Sequence, residues 1–301
     1  MPIFSSRRQR LLTAWALAIA MCLLALPLYA APLRVTATPD ILDDYEVFMD
    51  GRRVEDVNYY GGAGARRDVI ELLLLQKALK LGGFEKELTF IPEQNYRRTL
   101  YRVAAGELIS SGALVWLEDT RPIAEDVRVS SAVVRNGNFK VGLYTSADNK
   151  TALATTFANL NRLSAVSNAN WKTDINTLEI LGFERIYLAN SWISMVKMLA
   201  AQRADVTLAP FQPGDSMAIR QQEGVLIPIP GIKIALKGSR HWVVSRNHPD
   251  ANAYFQALQT GIRHLQQSGT IARAYRESGF YHPQVKQWRT LNAPAITPTA
   301  P

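Results

Sequence analysis

The chain has 301 residues, enough for two domains of ordinary size, and its formal net charge is +8. Its basic residues are dispersed and cluster only in doublets such as Arg52-Arg53, which excludes the concentrated basic patch of a nucleic-acid-binding protein. The one cysteine, Cys22, lies inside an N-terminal apolar stretch, so the sequence after it excludes a thiol nucleophile, a cysteine metal cluster and a disulfide.

Residues 1–30 predict a signal peptide. A basic region with three arginines precedes the charge-free apolar stretch 11–28, and the small residues Ala30 and Ala31 offer a cleavage site. An uncleaved anchor stays open, because the stretch is just long enough to span a bilayer. Cleavage leaves 31 basic and 26 acidic residues, a net charge near +5. Cys22 lies too early for lipidation, and export without disulfides fits a bacterial periplasm.

The first half of the mature chain predicts alternating strands and helices. A strand is expected at residues 33–40, followed by a polar segment. Residues 66–81 predict a helix that is apolar almost all round and ends at Gly82-Gly83. Later elements are a strand at 86–92, a helix at 96–108, and strands at 112–116 and 127–134. This order predicts a parallel α/β sheet.

A second α/β cycle begins near Phe139. Its predicted elements are strands at 139–146, 163–171, 185–190 and 205–211, alternating with helices at 151–163, 173–183 and 191–203. Two helices at 250–267 and 270–278 follow, and the Pro- and Ala-rich residues 290–301 predict a disordered tail. We therefore expect two lobes with a cleft between them, and ligands bind such sheets beyond the carboxyl ends of the strands.

Two strand ends of the second half carry asparagine and tryptophan: Asn170 and Trp171 in SNANW, and Asn190 and Trp192 in LANSW. Amides offer donors and acceptors, an indole offers a flat apolar wall, and a following helix start offers free N–H groups. We expect all four side chains to line a ligand cleft. Helix capping with both indoles in the core is the alternative, and Trp192 continues a helical apolar stripe through residues 195, 196 and 199.

In the first half, the segment ALVWLEDTRP ends a predicted strand and contains Trp116, Asp119 and Arg121. A guanidinium beside a hydroxyl is a good receiver for a carboxylate, so these side chains are candidates for the ligand site. A solvent-exposed turn with a surface ion pair is the alternative.

Two other segments could contact a ligand. GLYTSADN places Tyr144 and Thr145 at a strand end, where ordinary turn chemistry is the alternative. YYGGAG, residues 59–64, could bring its backbone close to a ligand and stack Tyr59 on it, although a flexible loop explains the same residues. It lacks the spacing of a dinucleotide-binding loop.

Catalytic and metal-binding motifs are absent from the sequence. It contains no G-x-S-x-G elbow, Walker motif, H-E-x-x-H or EF-hand loop, and its four histidines lack the spacing of a metal site. The catalytic inventory is therefore thin, and we predict no enzymatic activity, catalytic residue, metal or cofactor.

The order of these segments carries a resemblance to a known family. AAGELISSGALVW, EDTRP, VSSAVV, MLAAQRADVTLAPF and the closing segment that starts at HWVVSRNHP follow one another along nearly all of the mature chain. In this order the chain resembles the type II periplasmic solute-binding proteins, in particular the extracellular solute-binding family three, which includes receptors for polar amino acids.

The resemblance implies an α/β fold with two lobes, each a sheet flanked by helices. Lobe one would comprise residues 32–137 and 240–289, and lobe two residues 138–239. Hinges would lie near RNGN (135–138) and GSRH (238–241), with closure on the ligand by rigid-body motion. Arg121 would receive a ligand carboxylate.

The resemblance also implies a function. The chain would be a monomeric periplasmic receptor that closes on a small polar ligand, amino-acid-like or a small organic acid, and delivers it to an inner-membrane ABC permease. Two alternatives stay open: a ligand-binding signalling or accessory protein without transport, and a periplasmic lyase or dehydratase on the same fold.

Overall fold

A computed structural model describes residues 33–292 of the chain. The predicted signal peptide lies outside the described residues, and so does the predicted tail except for residues 290–292.

The described residues form fifteen strands and eight α-helices. The strands are β1 (Leu33–Ala37), β2 (Leu88–Pro92), β3 (Ser110–Ser111), β4 (Val115–Trp116), β5 (Val127–Val129), β6 (Lys140–Ser146), β7 (Ser164–Asn168), β8 (Arg185–Ala189), β9 (Thr207–Pro210), β10 (Ile219–Gln221), β11 (Gly224–Pro228), β12 (Ile232–Ala235), β13 (Arg240–His241), β14 (Val243–Ser245) and β15 (Arg289–Thr290). The helices are α1 (Pro39–Met49), α2 (Arg67–Leu81), α3 (Tyr96–Ala104), α4 (Lys150–Leu153), α5 (Lys172–Ile180), α6 (Trp192–Ala200), α7 (Ala251–Gln267) and α8 (Thr270–Glu277). Short 3₁₀ helices occupy Val54–Asp56, Leu117–Ile123, Phe157–Arg162 and Pro283–Gln287.

A five-stranded sheet organises the first half, in the order β2-β1-β3-β14-β5. β1 pairs in parallel with β2 and β3, as expected for strands separated by helices. β14 pairs antiparallel with β3 and β5, so a strand from late in the chain completes this sheet. The parallel α/β prediction therefore holds for β1, β2 and β3. The strand predicted at 112–116 corresponds to β4, which instead pairs antiparallel with β13 in a separate two-stranded sheet.

The second half contains a sheet in the order β10-β11-β6-β12-β15, with β9 also paired to β6. β6 runs antiparallel to β9, β11 and β12. β7 and β8 form a separate parallel pair, and a single bridge from Ala165 to Val206 connects this pair to the segment that leads into β9. The predicted elements occur in the predicted order, but strands β10, β11 and β12 were not predicted, and most pairing in this half is antiparallel.

Helix α1 is the main element that the sequence prediction missed. The segment looked like a polar loop because Asp40, Asp43 and Asp44 dominate it. Pro39 nevertheless starts the helix, and three apolar side chains face the core: Ile41, Phe48 and Met49. The helix ends at Asp50 in the left-handed region, at φ 44°.

Helix α2 is buried as predicted and packs closely on α7. Its residues from Val69 to Leu75 are all fully or almost fully buried. A Cβ on Gly261 of α7 would overlap the carbonyl of Ala78, so glycine is required at this crossing. The largest apolar cluster extends from α2 into the second half through Trp116 and Phe139, whose ring centroids are 5.0 Å apart.

The two predicted hinge segments lie side by side. Val134 and Arg240 form an antiparallel bridge, and the backbone N–H of Gly238 donates to the side chain of Asn136 at 2.9 Å. The lobe boundaries stay a prediction.

The predicted tail starts too early. Thr290 pairs with β12, and Asn292 accepts from the N–H of Ala235 and donates to its carbonyl at 3.0 and 2.7 Å. Among the helices of residues 33–292, none combines the length and hydropathy that crossing a bilayer requires.

Candidate functional site

A cavity of about 510 Å³, the main cavity, is lined by residues from both halves of the molecule. Its walls include the end of β1, the start of α2, the loop before β4, the starts of α5 and α6, and the hinge residue Arg240. This size lies within the usual range for small-molecule sites. Strand ends and helix starts meet there, as the α/β architecture predicts.

Arg240 is the most unusual residue of this cavity. It is 9% exposed and forms no salt bridge within residues 33–292. Its guanidinium donates to the carbonyl of Leu114 and lies 5.0 Å from the centroid of the Trp116 ring and 5.1 Å from that of Phe139. Its Nε is buried without a hydrogen-bond partner. A buried cation in this state attracts an anion.

Arg67 lies nearby but is already neutralised. It donates to Asp68 and, at 2.7 Å, to Glu71, whose other oxygen accepts from the N–H of Leu114 at 2.9 Å. Burial opposes the ionisation of Asp68, but Arg67, Arg66 and Arg240 together hold its pKa below the usual range. Glu71 is fully buried, which raises its pKa despite the neighbouring Arg67. This network fixes the strand end that carries Leu114.

Asp174 brings a carboxyl to the cavity from the first turn of α5. It is half-buried and forms no salt bridge among the described residues. Burial raises its pKa to about 7, although Arg240, Arg67 and its own backbone N–H favour the ionised form. The cavity thus contains a basic side chain, Arg240, and an acidic one, Asp174, and neither forms a salt bridge with another described residue.

Three tryptophans line the main cavity. Trp171 and Trp192 are half-buried, stack with ring centroids 6.5 Å apart, and also pack against the second apolar cluster. Each indole thus lines the cavity and also packs against the core, and ligand contact by either stays a prediction. Trp116 is buried beside Arg240 and contributes an edge of the wall.

Asp119, Arg121 and Asn170 come together in a second cavity of about 340 Å³, which shares Tyr96 with the main one. The Tyr96 hydroxyl donates to Asp119 at 2.8 Å, and burial raises the pKa of Asp119 against the effects of Tyr96 and Lys172. Arg121 is 78% exposed in its side chain and pairs with Glu118 at 3.0 Å. The surface ion-pair alternative describes Arg121, which lines the second cavity and not the main one, and its binding of a ligand carboxylate stays a prediction.

Four other candidate residues do not line either cavity. Tyr144 is fully buried and donates to the carbonyl of Met217 at 2.9 Å, and Thr145, also buried, donates to the carbonyl of Asp205 at 2.7 Å. Their places in the central strand β6 explain this burial. Asn190 is exposed in the turn before α6, and Tyr59 is 60% exposed. None of the four therefore lies where a ligand in the main cavity would contact it, and their role in ligand binding stays a prediction.

The glycine loop contributes its backbone rather than its tyrosines. Gly62 and Gly64 line the main cavity. Gly64 has φ +69°, and a Cβ there would overlap the carbonyl of Asp44, so this close approach requires glycine. Tyr60 is buried in the core, where its N–H donates to Glu277 at 2.8 Å.

Sequence reasoning missed Arg240, Arg67, Asp174 and Tyr96. The sequence did contain a signal for Arg67. The charged residues Arg66, Arg67 and Asp68 stand at the start of a helix that is otherwise apolar and deeply packed. Arg240 lies inside a predicted hinge, and Asp174 lies at the start of the helix predicted at 173–183. Within residues 33–292, no group of three or more His, Asp or Glu side chains is placed to hold a metal ion.

Comparison with solved structures identifies the fold. The periplasmic VFT2 domain of BvgS from Bordetella pertussis matches with a TM-score of 0.52 and 13% identity, over 92% of this chain and 100% of that domain. The ligand-binding core of GluR0 from Nostoc punctiforme, in complex with L-glutamate, matches with a TM-score of 0.50 and 12% identity, over 82% and 99%. The chain has the type II periplasmic-binding-protein fold.

A reconstructed ancestral amino-acid-binding protein, AncCDT-1, a precursor of cyclohexadienyl dehydratase, matches with a TM-score of 0.51 and 13% identity, over 82% of this chain and 95% of that one. No protein-family model and no curated protein matches the sequence. At these identities the matches establish the architecture, and they confirm the resemblance in fold that the order of motifs predicted.

Proposed function

We propose that the chain is a periplasmic solute-binding receptor whose two halves close on a small polar ligand in the main cavity. The observation that carries this proposal is Arg240, a buried guanidinium on the cavity wall without a carboxylate partner in the described residues. Burying a charge without a counter-ion destabilises a protein, so a buried unpaired charge on a cavity wall indicates that the charge serves ligand binding.

The anionic group of the ligand would supply the missing charge. The carbonyl of Leu114 satisfies one N–H of Arg240, which leaves other donors of the planar guanidinium for a carboxylate. Arg67 is a weaker candidate, because Asp68 and Glu71 already bind it. Arg240 thus takes the role that the family resemblance gave to Arg121.

Closure about the paired hinge segments is the second part of the proposal. The backbones near Val134 and Arg240 are bridged, so a small rotation there would move the start of α5, which carries Trp171 and Asp174, relative to the first sheet. A ligand that contacts Arg240 and the two indoles would favour the closed state by its differential contacts. Delivery to an ABC permease in the inner membrane would follow, with the receptor acting as a monomer.

A signalling or accessory role without transport is the second candidate. It predicts an exposed apolar patch. Exposed large apolar side chains of the second half include Ile180, Tyr187, Leu188 and Ile193, with exposed fractions of 67%, 41%, 57% and 38%. The well-formed cavity supports ligand binding under both candidates, so they differ in the partner and not in the site.

A thermal-shift screen of the exported protein, purified from the periplasm, tests the proposal. The panel comprises amino acids, short peptides and small organic acids. A ligand at a hundred times its dissociation constant stabilises the folded state by about 2.7 kcal/mol, a rise in melting temperature of roughly 5–10 °C. Loss of that shift in Arg240→Gln, with retention in Arg121→Gln, supports the site. A panel without any shift contradicts the receptor function.

A further inference from the structure

The chain after α8 forms a third connection between the two halves, in addition to the two predicted hinge segments. Helix α8 packs against α2 and α7, whereas β15, which begins after only eleven intervening residues, pairs in parallel with β12 of the second sheet. We call residues 279–292 the C-terminal strap. Because the strap is attached to both halves, any change in their separation must displace or deform it.

The strap begins at a packed anchor beside α8. The Phe280 ring is buried, and its centroid lies 5.0 Å from that of Tyr275 and 4.9 Å from that of Phe139. Gly279 has φ +81°, and a Cβ there would overlap the backbone of Gln212 and Pro213, so glycine is required at this position. Because both of these residues line the main cavity, the start of the strap contacts the cavity wall from outside.

The strap ends at a second anchor on the second sheet. Val285 is buried in the second apolar cluster, and Trp288 packs edge-on against Phe211 with ring centroids 5.6 Å apart. β15 then pairs with β12, and the side chain of Asn292 makes two hydrogen bonds with the backbone of Ala235. The end of the strap is therefore fixed to the second half by apolar packing and by hydrogen bonds.

Lys233 of β12 holds the middle of the strap. Its side chain is buried, and its ammonium donates to the carbonyls of Val285 and Lys286 at 2.6 and 2.8 Å. Both carbonyls belong to the 3₁₀ helix Pro283–Gln287, and a lysine that binds the last carbonyls of a helix stabilises its wound form. Unwinding this helix would remove both acceptors from a buried ammonium, which is unfavourable.

We propose that the C-terminal strap limits how far the two halves separate, and that Lys233 sets this limit by keeping the strap wound. A 3₁₀ helix rises about 2.0 Å per residue and an extended chain about 3.4 Å, so unwinding the five residues of this helix would lengthen the strap by about 7 Å. Small hinge movements leave the strap wound, whereas a wider opening requires loss of the Lys233 contacts. The inference rests on the hinge motion of the proposed function and names the segment that regulates it.

The strap should also affect ligand affinity, although none of its residues lines the main cavity. Arg240 and the indoles of Trp171 and Trp192 can contact one ligand only while the two halves stay close. A limit on opening raises the fraction of molecules in that state, and the apparent affinity scales with this fraction. Lys233 is therefore a positioning residue that acts through the strap, and it does not contact the ligand.

Two variants of the exported protein, studied without any added ligand, test the limit. Lys233→Met removes the ammonium and keeps an unbranched apolar side chain. An insertion of Gly-Ser-Gly between Tyr281 and His282 lengthens the strap and leaves Lys233 in place. Lys150→Met is the matched control, because Lys150 is exposed and donates to the carbonyl of nearby Ala147 at 3.3 Å.

Three measurements follow the two parts of the proposal. Hydrogen exchange reports the protection of the amides of residues 284–292, small-angle X-ray scattering gives the radius of gyration, and circular dichroism verifies that each variant is folded. We expect Lys233→Met to lose protection in the strap and to have a larger radius of gyration than the wild type. The insertion should give a similar increase in radius, and Lys150→Met should match the wild type in every measurement.

Other outcomes identify what has failed. A wild-type radius in both Lys233→Met and the insertion variant overturns the proposal, since Lys233 would then stabilise only local packing. A larger radius in the insertion variant alone supports the limit and overturns the role of Lys233, whereas a larger radius in Lys233→Met alone overturns the role of the strap. If Lys233→Met does not fold, the insertion variant decides whether the strap limits opening. These results require no ligand, so the thermal-shift screen still decides the proposed function separately.

Discussion

The indole rings of Trp171 and Trp192 stack with centroids 6.5 Å apart and planes inclined by 27°. They come from two consecutive strand–helix junctions whose sequences, SNANW and LANSW, resemble each other. The parallel pairing of β7 with β8 places these junctions at the same edge, because Asn168 lies opposite Ala189. Two repeated sequence features thus form one aromatic wall of the main cavity.

Replacement of Trp171 tests whether that wall binds the ligand. We expect Trp171→Ala to abolish the ligand-induced thermal shift and to lower the free energy of unfolding by about 1–2 kcal/mol, less than for a fully buried tryptophan, because the side chain is half-buried. Thermal melting with and without the best ligand of the panel measures both effects. Tyr59→Ala, at an exposed position outside the cavity, is the control, and an undiminished shift in Trp171→Ala contradicts the assignment.

Arg240 and Arg121 offer a direct comparison of two candidate carboxylate receivers. Arg240→Gln should weaken the binding of carboxylate-bearing ligands by about 2–5 kcal/mol, because a charged hydrogen bond in a buried site is lost. Arg121→Gln should change it by less than about 0.5 kcal/mol, since Arg121 is exposed and paired with Glu118. Calorimetric titration of both variants measures these losses of affinity. A larger loss in Arg121→Gln than in Arg240→Gln would assign the ligand carboxylate to Arg121, as the family resemblance implied.

The buried network around Glu71 should dominate the stability of the first half. Glu71→Ala leaves Arg67 with an unbalanced charge and removes the acceptor of the Leu114 N–H, so we expect a loss of about 3–5 kcal/mol. Glu55→Ala breaks an exposed pair with Lys80 at 2.7 Å and should cost less than about 1 kcal/mol. Urea unfolding measures the free energy of unfolding of both variants. Equal losses would contradict the claim that the buried ion pair of Glu71 contributes more to stability than the exposed pair of Glu55.

Asp174 should make the stability of the unliganded protein depend on pH. Its pKa in the folded state, about 7, lies above that of an unfolded aspartate, so ionisation destabilises the fold as pH rises from about 4 through 7. Asp174→Asn removes this effect. We expect the variant to gain about 1–2 kcal/mol relative to the wild type at pH 8, a value reduced for partial exposure, and little at pH 4.

Denaturant unfolding at the two pH values measures this difference. Glu179→Gln serves as the control, because Glu179 is exposed on the same helix. A stability difference between Asp174→Asn and the wild type that is the same at pH 4 and pH 8 would show that the carboxyl titrates normally in the folded protein.

Much of the secondary structure followed from local patterns. Helix α2 was predicted within one residue because its apolar run and glycine end are local signals. The predicted strands of the second half occur in the right order, but β10, β11 and β12 were missed, and the helix predicted at 151–163 is the short α4 followed by a 3₁₀ helix. Helix α1 was missed because its aspartates outnumber the three apolar residues that hold it in the core. The direction of strand pairing in the second sheet could not be predicted, since pairing depends on partners far along the chain.

The candidate site was predicted less well, and for a physical reason. Trp116, Trp171 and Trp192 reach the main cavity because they stand at strand ends, a position that the sequence pattern marks. Tyr144 and Thr145 occupy a similar pattern, yet β6 is central in its sheet, so their side chains are buried. Whether a strand is central or at an edge depends on the whole sheet.

By itself the sequence determined the α/β class, the absence of cysteine after Cys22 and the aromatic strand ends, because composition and local periodicity carry that information. Only the tertiary structure decided which charges are paired. Arg121 pairs with a surface carboxylate and Arg67 with two buried ones, whereas Arg240 and Asp174 form no salt bridge within residues 33–292. The charge state of a site depends on burial and on distances between residues remote in the chain, and these exist only after folding.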